Sequence, residues 1–327
     1  MMENENLFKN RVDLTRLQEG VTRLKAAIGE IIIGQEKAVD LIISAILANG
    51  HILIEGVPGV AKTLISKLVA QTIDADFSRI QFTPDLMPSD ILGTSVFNMK
   101  ESSFKFNKGP IFAQLILIDE INRAPAKTQA ALLEVMEERQ ITIDGHSYKM
   151  KEPFIIIATQ NPIEQEGTYR LPEAQLDRFL FKINMGYPDL EEEILILSGH
   201  DKRGYATPAN SISKIISQNE ILEYRSQVQS IHIEKPLLEY IASIIRETRQ
   251  NNAIYLGGSP RASVNLMNAS KAFAAIQGRD FVTPDDIIFM VVPVLRHRII
   301  LTPEKEMEGG TPDEVLEHIV EKIEIPR

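Results

Sequence analysis

Cysteine is absent from this chain of 327 residues, which excludes disulfides and thiolate-bound metal. The six histidines, His51, His146, His200, His232, His297 and His318, are scattered without metal-ligand spacing, so a structural metal is not expected. No apolar run approaches the roughly 18 residues of a membrane-spanning helix. The opening "MMENENLFKN" lacks the basic-then-apolar pattern of a secretory signal. No membrane insertion and a cytoplasmic location are therefore expected. Basic charge is also short, with 35 Lys and Arg against 45 Asp and Glu, a net charge of −10. That balance speaks against a broad nucleic-acid footprint and toward a protein partner. There is no low-complexity tract and no repeat at a period of roughly 20–50 residues.

With 44% hydrophobic and 24% charged residues, the composition is that of a folded globular protein with one large or two ordinary domains. Short apolar runs punctuate the first half: "HILIEG" (51–56), "FSRIQFT" (77–83), "LILIDE" (115–120), "FIIIATQN" (154–161) and "FLFKINM" (179–185). They read as strands, and helical patterns between them, such as Lys62 to Ile73 and Gln129 to Arg139, predict a parallel sheet covered by helices. Ligands bind along the carboxyl edge of such a sheet. Gly56, Asp119 with Glu120, and Asn161 each follow an apolar run and would meet there. Asp144-Gly145 in "ITIDGHSYKM" (141–150) predicts a hairpin, and "TSVFNMKESSFKFNKG" (94–109) a second one. After Pro188 the strand runs stop, which places an α/β domain at 1–188 and a smaller all-helical domain at 189–327. Three helix starts in the latter, "SPRA" (259–262), "TPDD" (283–286) and "TPDE" (311–314), put a hydroxyl residue at the N-cap and proline first in the helix.

"GVPGVAKT" (56–63) follows a strand and opens a helix, where consecutive N–H groups and the helix dipole favour phosphate. Lys62 supplies charge for the outer phosphates, and the Thr63 hydroxyl can ligate magnesium. The usual pattern has glycine where this chain has Ala61. Alanine is tolerated if its dihedrals are helical, and its place just before the helix predicts that they are. Asp119 would hold magnesium and Glu120 would activate water, or the two are surface acids at a strand end. Asn161 could hydrogen-bond phosphate and water, or cap a turn. Arg178 and Arg261 are candidates for stabilising a transferring phosphoryl group, and a surface ion pair is the alternative for each.

Together these motifs resemble AAA+ ATPases of the MoxR type over nearly the whole chain. The resemblance implies a P-loop fold with a helical lid, ATP and magnesium as cofactors, and ATP hydrolysis. "IIIGQEKAV" (31–39) looks like the stretch that packs on adenine, through Ile33 and Gly34, and Gly56, Val57, Pro58, Gly59, Val60, Ala61, Lys62, Thr63 and Leu64 look like Walker A in a variant with alanine before lysine. "LILIDEINRAP" (115–125) resembles Walker B, with Thr63 and Asp119 on the metal and Glu120 as base. In "ATQNPIEQEGTYRLPEAQLDRF" (158–179), Asn161 corresponds to sensor 1 and Arg178 to an arginine finger. Arg261 in "GGSPRA" corresponds to sensor 2, and Arg123 lies where the family places another arginine. The hairpins resemble two elements thought to face a ring pore. The family implies a hexameric ring with Arg178 serving a neighbour's ATP. It also implies a chaperone-like role in complex maturation or metal insertion, beside a partner with a von Willebrand factor A domain. A nucleic-acid motor and a magnesium-chelatase-like subunit are the competing readings.

Overall fold

The computed structural model describes residues 12–100, 102–162, 168–203 and 213–326. Residues 163–167 of the 158–179 motif and the first eleven residues lie outside the described residues. The chain divides into two compact units, one of residues 24–39 and 49–219, the other of 12–23, 40–48 and 220–326 among the described residues. A single cut after residue 188 does not describe this division. Periodicity marks where strand runs end but not which core a helix joins, and the helix Leu190–Arg203 groups with the sheet.

In chain order the first unit contains strands β1 (His51–Gly56), β2 (Ile73–Asp74), β3 (Phe77–Gln81), β4 (Gly93–Asn98), β5 (Ser103–Lys108), β6 (Leu115–Asp119), β7 (Gln140–Ile143), β8 (His146–Lys149), β9 (Ile155–Gln160) and β10 (Phe179–Met185). Five of them form one parallel sheet in the order β10-β1-β9-β6-β3. All five sequence-predicted strands are in it. Every residue of β6 is buried, as is all of β9 except Gln160, which is why these strands read as unbroken apolar runs and not as alternating ones. Ile116, Ile118, Ile156 and Ala158 share a core with Leu132, Leu133 and Met136 of the helix Ala126–Glu138. Each fully buried aliphatic side chain there contributes about 1.5–3 kcal/mol. His51 is buried at the start of β1, and its Nδ1 accepts from the Ile156 N–H at 3.0 Å. Its Nε2 must then be the donor to the Met136 carbonyl, 3.2 Å away, which makes it a neutral imidazole stitching strand to strand and helix.

Both predicted hairpins are present, β4 with β5 and β7 with β8. They touch through Phe106 and Tyr148, whose ring centroids are 4.8 Å apart, and through a Ser95 hydroxyl bond to Asp144. Strand pairing does not stop at 188, however. β11 (Ile216–Ser217) pairs with β2, and β12 (Ile254–Leu256) pairs antiparallel with β13 (Ile300–Leu301). These segments are too short to carry a legible period.

The helical unit includes Lys235–Gln250, Pro260–Ile276, Pro284–Leu295 and Pro312–Lys322. The last three start at the prolines that the sequence singles out. Thr311 and Glu314 bond each other's backbone N–H reciprocally, at 3.0 and 3.3 Å. At the Pro284 helix the carboxylate of Asp286, 1% exposed, takes Thr283 N–H at 2.8 Å and both arms of Arg279 at 2.5 and 2.6 Å. That bond to Asp286 raises the pKa of Arg279 above its ordinary value. Ser259 holds the N-cap position but makes no side-chain cap bond.

Candidate active site

Consecutive parallel strands put their carboxyl ends along one edge, and the loop from Gly56 to Lys62 leaves β1 at that edge. Gly56 is required by packing, because a Cβ there would lie 2.6 Å from the Met185 carbonyl oxygen. Gly59 needs its freedom for φ 90°. Ala61 does not adopt the helical dihedrals expected from its place in the sequence: it is left-handed, with φ 64° and ψ 21°. The methyl group costs about 1 kcal/mol in that region, and the loop imposes it because the chain must reverse before Lys62 can begin the helix Lys62–Thr72. The Ala61 carbonyl accepts from Ile65 N–H at 2.9 Å, closing the first helical turn.

A cavity of about 470 Å³, within the range of small-molecule sites, opens against this loop. It is lined by Pro58, Gly59 and Ala61 to Leu64 from the loop and helix, Asp119 and Glu120 from the end of β6, Thr159 to Asn161 from the end of β9, and Arg79 and Gln81 from β3. Lys62 Nζ bonds the carbonyl of Val57 at 2.8 Å and also that of Gly56, folding over its own loop. Thr63 Oγ1 donates to Asp119 Oδ1 at 2.8 Å, although the two are 56 residues apart. Thr159 Oγ1 also donates to that oxygen, at 3.3 Å, and accepts from the Glu120 N–H at 3.1 Å, which locks the ends of β6 and β9 together. Glu120 is itself left-handed, φ 58° and ψ 52°, so its carboxylate leaves the line of the strand. There it meets Gln81 Nε2 at 2.8 Å and Arg123 Nε at 3.2 Å. Asn161 is buried beside it, and its carbonyl takes the Asn122 amide at 3.4 Å.

Other candidates stand away from the cavity wall. Val57 and Val60 belong to the loop but do not line the cavity, and neither do Ile33 and Gly34, which are half-buried in the same unit. Arg178, just before β10, pairs its Nε with Glu137 at 2.8 Å. Arg261 is the second residue of Pro260–Ile276 and belongs to the other unit.

The donors suit magnesium. Two hard oxygens, Thr63 Oγ1 and Asp119 Oδ1, lie together, and among the described residues no group of three or more His, Cys, Asp and Glu could hold a metal alone. Such a pair fits a hydrated divalent ion that takes further ligands from phosphate.

A family model described as "ATPase family associated with various cellular activities (AAA)" matches residues 51–181, and an AAA lid domain matches 246–319. The chain is 42% identical over 306 residues to chaperone MoxR1 of Mycobacterium tuberculosis, covering 91% of this chain and 80% of that protein. It belongs to the MoxR-type AAA+ ATPases. The Bacillus subtilis protein YeaC is 44% identical over 299 residues, covering 91% and 92% of the two chains. A Cytophaga hutchinsonii structure described as a candidate ATPase aligns with a TM-score of 0.87 at 40% identity, over 96% of this chain and 97% of that one.

Within this MoxR-type site, sequence reasoning missed Arg79, Gln81, Thr159 and Gln160. A signal for the first two existed: in "FSRIQ" the polar residues Arg79 and Gln81 flank a buried Ile80, so both fall on one face of a strand that ends at the ligand edge. Thr159 had none, since threonine is unremarkable in a strand.

Proposed function

We propose that this protein binds ATP with magnesium in the cavity and hydrolyses it, using the cycle to remodel or mature a protein partner. The observation that carries the reading is the 2.8 Å bond between Thr63 and Asp119, which brings phosphate loop and strand-end acid into one cavity with Lys62 and Glu120. In this reading the loop N–H groups and Lys62 hold the phosphates, with Lys62 exchanging its loop carbonyls for phosphate oxygens. Thr63 and Asp119 hold the magnesium, which when bound neutralises charge on the phosphate oxygens. Glu120 takes a proton from the attacking water, and its present bonds to Gln81 and Arg123 have to loosen for that. Asn161 orients water and γ-phosphate.

Arg178 is proposed to act on the nucleotide of a neighbouring copy in a hexameric ring, leaving Glu137 to do so. The family resemblance, not packing, carries Arg261 as a second phosphate contact. The chaperone name of a 42% identical relative favours a protein client over nucleic acid, as does the net charge of −10. A protein with a von Willebrand factor A domain is the proposed partner.

Purified protein should hydrolyse ATP slowly and assemble when ATP is added. Full activity from a strictly monomeric sample would remove the trans role of Arg178. Affinity capture with Glu120→Gln in ATP should retain the client, and retention of nucleic acid in its place would favour the motor reading.

A further inference from the structure

Asp119 is the most buried charge in the cavity, with a side chain 4% exposed, and a carboxylate so placed must be paired. Both of its oxygens are engaged. Oδ1 takes the hydroxyls of Thr63 and Thr159, which are neutral, while Oδ2 takes Arg79 Nε at 2.7 Å. The full positive charge bonded to Asp119 is therefore the guanidinium of Arg79, and Glu120 next to it is held separately by Gln81 and Arg123. Arg79 also lines the cavity, and its side chain is 54% exposed, so it can leave Asp119 without breaking a core.

We infer that Arg79 is a resident counter-ion of Asp119 that competes electrostatically with a divalent cation there, which makes it a positioning residue setting the magnesium dependence of nucleotide binding. The inference rests on the reading of the cavity as a magnesium–ATP site. A cation beside Oδ1 and the guanidinium on Oδ2 would face each other across one carboxylate and repel. Binding of magnesium is thus opposed by whatever holds Arg79 in place. Without magnesium the same guanidinium works the other way, since it masks Asp119 from the approaching phosphates and adds positive charge to the cavity wall. Removing it should ease magnesium binding and hinder magnesium-free nucleotide binding. A merely structural residue would weaken both alike.

The experiment is a magnesium chloride titration of N-methylanthraniloyl-ATP fluorescence on full-length protein, with an EDTA sample as the zero point. Arg79→Ala should lower the half-saturating magnesium concentration about fivefold, and weaken binding in EDTA by a similar factor, as expected for one partly exposed ion pair. Arg79→Lys, which keeps the charge, should stay near the wild-type curve. Thermal unfolding checks the same split, because Arg79→Ala should lose stability without ligand and recover it in magnesium and nucleotide. An Arg79→Ala titration that overlays the wild type, or that needs more magnesium, overturns the inference and leaves the cavity reading intact. A wild-type protein whose signal ignores magnesium overturns both.

Discussion

The sheet unit and the helical unit treat local conformational rules differently. Among the described residues, the six non-glycine residues with positive φ, Asn49, Ala61, Ser102, Glu120, Arg139 and Asp144, fall in the sheet unit and none in the helical unit. Two of the six, Ala61 and Glu120, line the cavity. In the helical unit, by contrast, prolines sit first in their helices and Thr311 and Asp286 close their caps. At Ala61 and Glu120 the strained backbone is aimed at the cavity, whereas Arg139 ends a helix and Asp144 turns a hairpin. The helical unit keeps closer to these backbone rules, although Pro293 lies inside a helix and Ser259 makes no cap bond.

That contrast can be broken from either side. The largest effect should come from the strained edge, where Glu120→Gln is expected to cut ATP turnover by about 10²–10⁴-fold while nucleotide binding persists, as a phosphate-release assay beside a binding titration would show. If binding were lost too, Glu120 would be shaping the cavity and not the chemistry. Next, Asp286→Ala in the helical unit should cost about 2–3 kcal/mol in denaturant unfolding, since it strips a buried carboxylate from Arg279 and Thr283. Thr311→Ala should cost about 1 kcal/mol through its lost cap, whereas Ser259→Ala, which removes no cap bond, should cost only about a few tenths. Equal losses at the two sites would mean that the caps do not carry the unit's regularity. A gain in place of a loss sharpens the comparison: Ala61→Gly should raise stability by about 0.5–1 kcal/mol, the relief of left-handed strain less the entropy of glycine, with nucleotide still bound. A loss of stability there would mean that the methyl group is packed to advantage.

Much of this was legible in the chain. The five sheet strands announced themselves as apolar runs because both faces of a parallel sheet are buried, and the Asp144-Gly145 pair announced its hairpin because few other residues accept such a turn. The short ribbon of β12 and β13 was not legible, because two or three residues carry no period. Nor was the grouping of Leu190–Arg203 with the sheet. At the site, Lys62 and Thr63 were picked out by the phosphate-loop pattern and Asp119, Glu120 and Asn161 by strand-end position, and the five line one cavity. Arg79 and Gln81 were passed over because the strand was read for its apolar content and not for the alternation of its polar residues.

By itself the sequence determined the elements, the edge on which ligand-facing residues would gather and the chemical types gathered there, because burial and turn chemistry are written in local patterns. Only the tertiary structure decided the left-handed turn at Ala61 and the partner of each acid: Arg79 for Asp119, Gln81 and Arg123 for Glu120, Glu137 for Arg178. Apart from the local Glu120–Arg123 pair, these meetings depend on strand order and on side chains about 40 residues apart in the chain, as Arg79 and Asp119 are. No local rule specifies such a meeting, since it is fixed by the packing of the whole sheet.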